Sequence, residues 1–130
     1  MIRRLDRGAE GRPERAWIEV GTADELRATG RLVARVGGRE VGVVWDEARG
    51  TAHGLRNRCP HSGAPLCLGR VRNRESGLPG SYALAGERVL RCPWHGWEFD
   101  LESGRCLDDP ALRAAVYPVE IAGGLVRLQV

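Results

Sequence analysis

CPHSGAPL at residues 59–66 and CPWHGWEFD at residues 92–100 are the stretches that decide the reading of this chain. Each joins one cysteine to one histidine, Cys59 with His61 at C-x-H spacing and Cys92 with His95 at C-x-x-H spacing. Two thiolates and two imidazoles suit one structural zinc ion. They equally suit a 2Fe-2S cluster in which two histidines replace two cysteines on one iron. Spacing alone admits both, although zinc loops usually place roughly two to four residues between donors, so C-x-H sits poorly with zinc. Pro60 and Pro93 follow the cysteines and stiffen each loop at its start. Gly63 and Gly96 follow the histidines closely, where a tight loop needs positive φ or a close backbone approach.

With their flanks included, the two segments resemble the cluster-binding loops of the Rieske 2Fe-2S domain family, as found in Rieske-type ferredoxins and nitrite reductase small subunits. The likeness is specific at the loops and extends more loosely over about residues 17–130. It implies that Cys59 and Cys92 hold one iron and His61 and His95 the other, so that each loop gives one ligand to each iron. Imidazoles donate less charge than thiolates, which lifts the potential of such clusters into a range of roughly −150 to +300 mV. High-potential members resemble CTHLGC and CPCHGSxY, with a disulfide between the loops and a Ser and a Tyr donating to sulfur. Here the disulfide positions are Ala64 and Trp94, and the Ser and Tyr positions are Trp97 and Phe99. Fewer donors stabilise the reduced state less, so the resemblance implies a potential in the lower part of the range.

At 130 residues and 42% apolar content, the chain fits one domain. The expected division is a mobile polar arm over residues 1–15 and a Rieske domain over 16–130. Within the domain lie ligand loops at 59–67 and 92–99, and an extra loop at about 69–88. That last stretch is longer than usual for the family and carries Gly77, Pro79, Gly80 and Gly86. No apolar run reaches membrane-spanning length, and Arg3-Arg4 is followed by no apolar core of a signal, so a cytoplasmic protein without a membrane partner is expected. Cys67 and Cys106 lie outside the ligand motifs and read as small buried residues, since a disulfide is disfavoured in a reducing compartment. All twenty basic residues are Arg, and net charge is +3. Arg56, Arg58 and the five arginines of residues 62–91 suggest a basic rim that would steer an acidic redox partner. Nucleic-acid binding fits poorly, because acids are plentiful and no recognition motif is present.

The rest reads as short strands with glycine turns, hence an all-β fold of antiparallel sheets in a sandwich or barrel. The resemblance implies the same, with the two hairpin loops as a small cluster-binding subdomain at one end. Thr22-Ala23-Asp24-Glu25 is a capping-box signature that predicts a short helix from residue 23. Gly37-Gly38 predicts a hairpin between residues 32–36 and 40–45. Residues 116–121 and 125–130 are expected to pair as a final hairpin, and residues 108–115 to hold a short helix after Pro110. Trp17 and Trp45 are read as core, Trp94 and Trp97 as shields of the cluster, and His53 as an ordinary strand histidine. No role is assigned to Tyr82 or Tyr117, and no catalytic pair to Asp100, Asp108 and Asp109.

The function implied is 2Fe-2S binding and one-electron transfer by a soluble, low-potential Rieske-type ferredoxin. It would stand between an upstream reductase and a downstream oxygenase or reductase, with no catalytic site of its own. The alternatives are the small electron-transfer subunit of a nitrite reductase-like enzyme and, in another class, a structural zinc module for protein contact. A self-contained oxygenase also needs a mononuclear iron on two histidines and a carboxylate; beyond His61 and His95 only His53 remains.

Overall fold

Alternation along one strand organises most of the molecule. A computed structural model describes residues 16–74 and 88–130, together with the backbone of residues 2–5. Its elements are β1 (Ile2–Leu5), β2 (Trp17–Thr22), α1 (Ala23–Thr29), β3 (Arg31–Val36), β4 (Arg39–Asp46) and β5 (Thr51–Arg56). A 3-10 turn follows at Leu66–Leu68, then β6 (Arg70–Asn73), β7 (Arg88–Arg91), β8 (Glu98–Asp100), β9 (Val116–Tyr117), β10 (Val119–Ala122) and β11 (Leu125–Gln129). They form three sheets, ordered β1-β3-β4-β5-β9, β10-β11-β2 and β6-β7-β8.

The five-stranded sheet is the middle layer, because successive side chains of a strand point to opposite faces. On β4, Val41 and Val43 enter a core with Ala34, Leu26, Val126 and Leu128, beneath the β10-β11-β2 sheet. The intervening residues face the other way. Val44 joins Leu55, Leu66, Leu90 and Phe99 under the β6-β7-β8 sheet. On the same side, Glu40 meets Asn57, Gly42 faces Cys67, and Asp46 meets Arg88. A Cβ on Gly42 would lie 2.8 Å from the Cys67 sulfur, so only glycine admits that thiol. One strand thus seats both arms of the subdomain that carries the ligand loops.

Local chemistry sets the remaining elements. Thr22 Oγ1 accepts from the Glu25 N–H and Glu25 Oε1 accepts from the Thr22 N–H, both at 3.0 Å, which is the capping box read from the sequence. Gly30, at φ 85°, closes the helix. Leu26 pins it to the core, and truncation to alanine would cost about 2–5 kcal/mol. The β3–β4 and β10–β11 hairpins turn at Gly37-Gly38 and Gly123-Gly124, as the sequence predicts.

Four expectations change. Residues 2–5 are not a free arm: they form β1, parallel to β3 with Ile2 opposite Val33, and the rest of 1–15 lies outside the described residues. The expected helix over 108–115 is absent. The Asp109 carboxylate accepts the Ala111 N–H at 3.0 Å in a turn, and the backbone beyond it pairs with residues 104–106: the Cys106 N–H donates to the Leu112 carbonyl, the Ala114 N–H to the Gly104 carbonyl, and Arg105 forms a β-bridge with Arg113. The strand expected over 116–121 is split at Pro118, which has no N–H for a ladder. β9 therefore pairs with β5, and β10 with β11. Trp17 is 44% exposed rather than core. The ends of the extra segment pair as β6 and β7, with Arg70 opposite Arg91; its residues 75–87, including Tyr82, lie outside the described residues.

Candidate metal centre

The two ligand loops share one backbone construction. The Cys59 N–H donates to the Ala64 carbonyl (2.8 Å) and the Gly63 N–H to the Cys59 carbonyl (2.8 Å). In the second loop the Cys92 N–H donates to the Trp97 carbonyl (2.8 Å) and the Gly96 N–H to the Cys92 carbonyl (3.0 Å). Each cysteine thus accepts from the glycine four residues on, and that glycine is left-handed, at φ 79° for Gly63 and 75° for Gly96. The sequence signal is Arg-Cys-Pro-x-x-Gly, present at 58–63 and again at 91–96. The histidine takes a different place in each frame, second after Cys59 and third after Cys92.

This frame sorts the donors by depth. Cys59 and Cys92 are 1% and 2% exposed and belong to the core with Leu66, Leu90 and Phe99. His61 and His95 are exposed, with ring centroids 5.4 Å apart and planes at 75°. Trp97 stacks on His61 at 3.7 Å, 8° from parallel, so it covers the histidine of the opposite loop. Trp94 is 60% exposed. It occupies the apex position that His61 holds in the first loop.

The thiols lie in a polar cradle. Burial pushes the Cys92 thiol up, but the Ser62 hydroxyl, the Trp94 and His95 amides and the Cys59 thiol outweigh it, and hold Cys92 below the ordinary thiol value. Ser62 Oγ is 3.6 Å from Cys92 Sγ, a hydroxyl contact between the loops. Hydrogen bonds to the ionised sulfur favour thiolate, the form that binds metal. The donor set therefore fits a 2Fe-2S cluster: two thiols side by side and buried, two imidazoles side by side and exposed, and amide donors around sulfur.

The other candidate residues lie elsewhere. Cys67 is fully buried against Gly42, and burial pushes its thiol up to about 12. Cys106 is equally buried, and all four cysteines are free thiols. His53 lies on β5 with Nε2 2.9 Å from Thr51 Oγ1; burial lowers its pKa, against the pull of Asp46. Asp100 and Asp109 accept from the backbone N–H groups of Ser103 and Ala111 in turns, and Asp108 accepts from the Glu98 N–H of β8 and lies 3.7 Å from Arg74. Phe99 is core.

Three functional contacts had no signal in the linear sequence. Asn57 Oδ1 accepts the Cys67 N–H at 2.7 Å and Asn57 Nδ2 donates to Glu40 Oε1 at 3.1 Å, which ties both ends of the first loop to β4. Arg88 Nη2 and Nε donate to the buried Asp46 carboxylate at 2.6 and 2.9 Å, which ties the strand entering the second loop to the same β4. Ser62 reaches across to Cys92. Each depends on register between segments distant in the chain.

The chain matches the family model described as "Rieske [2Fe-2S] domain" over residues 16–121. It is 33% identical over 120 residues to a 3-chlorobenzoate-3,4-dioxygenase oxygenase subunit of Comamonas testosteroni, covering 85% of this chain and 24% of that protein. The chain spans 24%, 15% and 59% of three curated relatives that it matches. Among solved structures it is similar to the ferredoxin of carbazole 1,9a-dioxygenase from Nocardioides aromaticivorans IC177. There the TM-score is 0.65 and identity 24%, over 87% of this chain and 96% of the other. It is also similar to a protein assigned as an NADH-dependent nitrite reductase small subunit from Mycobacterium tuberculosis, with a TM-score of 0.74 and 24% identity over 89% and 96%.

Proposed function

The chain belongs to the Rieske [2Fe-2S] domain family, whose cofactor is a 2Fe-2S cluster, and from that premise we propose that it is a low-potential one-electron carrier with Cys59, His61, Cys92 and His95 as cluster ligands. The observation that carries this reading is the sorting of donors by depth on two matched loops. When bound, the cluster supplies a centre that accepts and returns one electron. The chain's own residues do the rest. The Cys59 and Cys92 thiolates would hold one iron, and His61 and His95 would hold the other. The Trp94 and His95 amides and the Ser62 hydroxyl stabilise negative charge on the Cys92 sulfur. Leu66, Leu90 and Phe99 keep water from the thiol side, and Trp97 covers one face of His61.

The low potential is supported by Trp97 and Phe99, which lack hydroxyls where high-potential members carry them; Ser62 restores part of that donation. The partners would be redox proteins, an upstream reductase and a downstream oxygenase or reductase, in a cytoplasmic setting. No helix among the described residues is long and apolar enough to cross a membrane. A second reading, the small electron-transfer subunit of a nitrite reductase-like enzyme, is favoured by the fold match that runs through nearly all of such a chain.

EPR after dithionite reduction tests the assignment. The expected result is a mixed-valence Rieske-type signal that disappears in Cys59→Ala and in His95→Ala. Zinc in a colourless protein would overturn it in favour of a structural zinc module. A redox titration should give a midpoint below about 0 mV; a value well above zero would overturn the low-potential reading.

A further inference from the structure

We infer that the exposed end bearing His61 and His95 is a docking face for an acidic protein surface, recognised by Arg58, Arg70 and Arg91 around a Trp94 anchor; this rests on the electron-carrier reading above. The charge of the chain is unevenly placed. The whole sequence has twenty arginines against seventeen acids. Residues 58–74 and 88–97, which hold both loops and the adjoining strands, contain six of those arginines and no Asp or Glu. The remainder is therefore net −3 by the same count.

Within this region the arginines divide in two. Arg88 is bound to Asp46, and Arg72 and Arg74 lie 3.9 and 3.3 Å from Glu98 carboxylate oxygens. Such pairing neutralises them locally. Arg58, Arg70 and Arg91 are exposed and meet no carboxylate among the described residues. Arg58 and Arg91 hold equivalent places, each one residue before a ligand cysteine with its guanidinium folded beside the loop glycine. A Cβ on Gly63 would lie 3.4 Å from Arg58 Nη2, and one on Gly96 2.9 Å from Arg91 Nε. Each loop thus carries its own cation beside its own glycine.

The ground between them is shaped for contact. A groove of about 570 Å³ runs along the second loop, lined by Leu68, Arg70, Arg72, Arg91, Trp94 and His95. A second, on the first loop's flank, is lined by Arg35, Arg39, Arg56 and Arg58 against one acid, Glu40. Trp94 is 60% exposed and Leu68 46%, so an aromatic and an aliphatic side chain stand beside the imidazoles between two basic flanks. A buried aromatic anchor inside a charged rim is how protein interfaces concentrate affinity. Positive potential on the rim selects a partner with carboxylates around an apolar spot, and speeds its encounter.

Two measurements test this. The dithionite-reduced, cluster-loaded protein is mixed with ferricyanide or with tris(phenanthroline)cobalt(III). In either case one electron leaves the protein and reduces one oxidant ion, with no bond or proton transferred. The ferricyanide rate constant should fall at least about tenfold from low to high ionic strength, and that of the cobalt complex should rise. Arg70→Glu/Arg91→Glu should reverse the preference. Separately, and independent of electron transfer, the salt needed to elute the protein from immobilised poly-L-glutamate should drop in Arg58→Glu, Arg70→Glu and Arg91→Glu. It should drop less in Arg127→Glu, the same charge change on β11. Equal rates and slopes for the two oxidants, or an Arg127→Glu effect as large as Arg91→Glu, would overturn the docking face while leaving the carrier intact. Failure of the reduced protein to reduce either oxidant would overturn the carrier reading itself.

Discussion

The two ligand loops are near copies in backbone and differ in how they are tied down. Both run Arg-Cys-Pro-x-x-Gly, and both close through the same two hydrogen bonds. The first loop is held by Asn57, a neutral amide bonded to the Cys67 N–H and the Glu40 carboxylate. The strand leading to the second is held by the Asp46–Arg88 ion pair, with the carboxylate wholly buried. The bond from the Cys67 N–H to the Asn57 carbonyl oxygen joins two groups that carry no charge, whereas a buried ion pair depends on charge at both ends. Matched geometry at the centre therefore coexists with unequal sensitivity behind it.

The strongest way to break the comparison is to remove one donor from each loop. His61→Ala and His95→Ala should each abolish the visible absorbance of the cluster; retention of the full spectrum in either would mean that the loops do not share the load. Next in size are the anchors. Asp46→Asn leaves Arg88 without its counter-charge and should cost about 3–5 kcal/mol in chemical denaturation. Asn57→Ala should cost about 1–3 kcal/mol.

Acid separates the two anchors further. Hydrogen bonds from Arg88 hold the Asp46 carboxyl below its ordinary value of 3.8, against the opposing effect of burial. Because the folded-state pKa is depressed, the stabilisation is complete above that ordinary value and lost as pH falls through the folded one. Amide exchange on β7 should rise in acid before exchange at residues 57–67. Simultaneous loosening would erase the distinction.

Smaller effects sharpen the likeness. Alanine at Gly63 or Gly96 forces a side chain into the left-handed region at about 1–2 kcal/mol. Thermal melts should place Gly96→Ala slightly lower, because its Cβ must also displace the Arg91 guanidinium. Ser62→Ala removes the hydroxyl that crosses between the loops. At about 1 kcal/mol for the difference between oxidation states, the midpoint should fall by on the order of 40 mV for one electron. An unchanged potential would show that the contact does not reach the cluster.

What the sequence disclosed follows the range of the forces involved. The hairpins at Gly37-Gly38 and Gly123-Gly124 and the helix cap at Thr22 were legible because adjacent residues decide them. The two matched Cys-Pro loops were legible because their residues are crowded into a few positions. Pro118 gave a local sign that was misread: a residue without an N–H inside an apolar run divides it between two sheets. Residues 108–115 looked helical after Pro110, yet the backbone of residues 112–114 pairs with residues 104–106, a contact between segments that adjacent residues do not decide. Asp46 with Arg88, 42 positions apart, and Asn57 with Glu40 arise only when β4 turns its even-numbered residues toward the subdomain. The parallel pairing of β1 likewise depends on a β3 edge that exists only in the folded sheet.

The burial of the thiols has a kinetic consequence. With Cys59 and Cys92 set in the core and the imidazole edge at the surface, the proposed centre has a single doorway among the described residues. Donor and acceptor must use it in turn. On the proposed carrier reading the protein would work as a shuttle rather than a wire, unloading only after the molecule that loaded it has left. Turnover through it should be slowed by an excess of either partner, each blocking the other's turn.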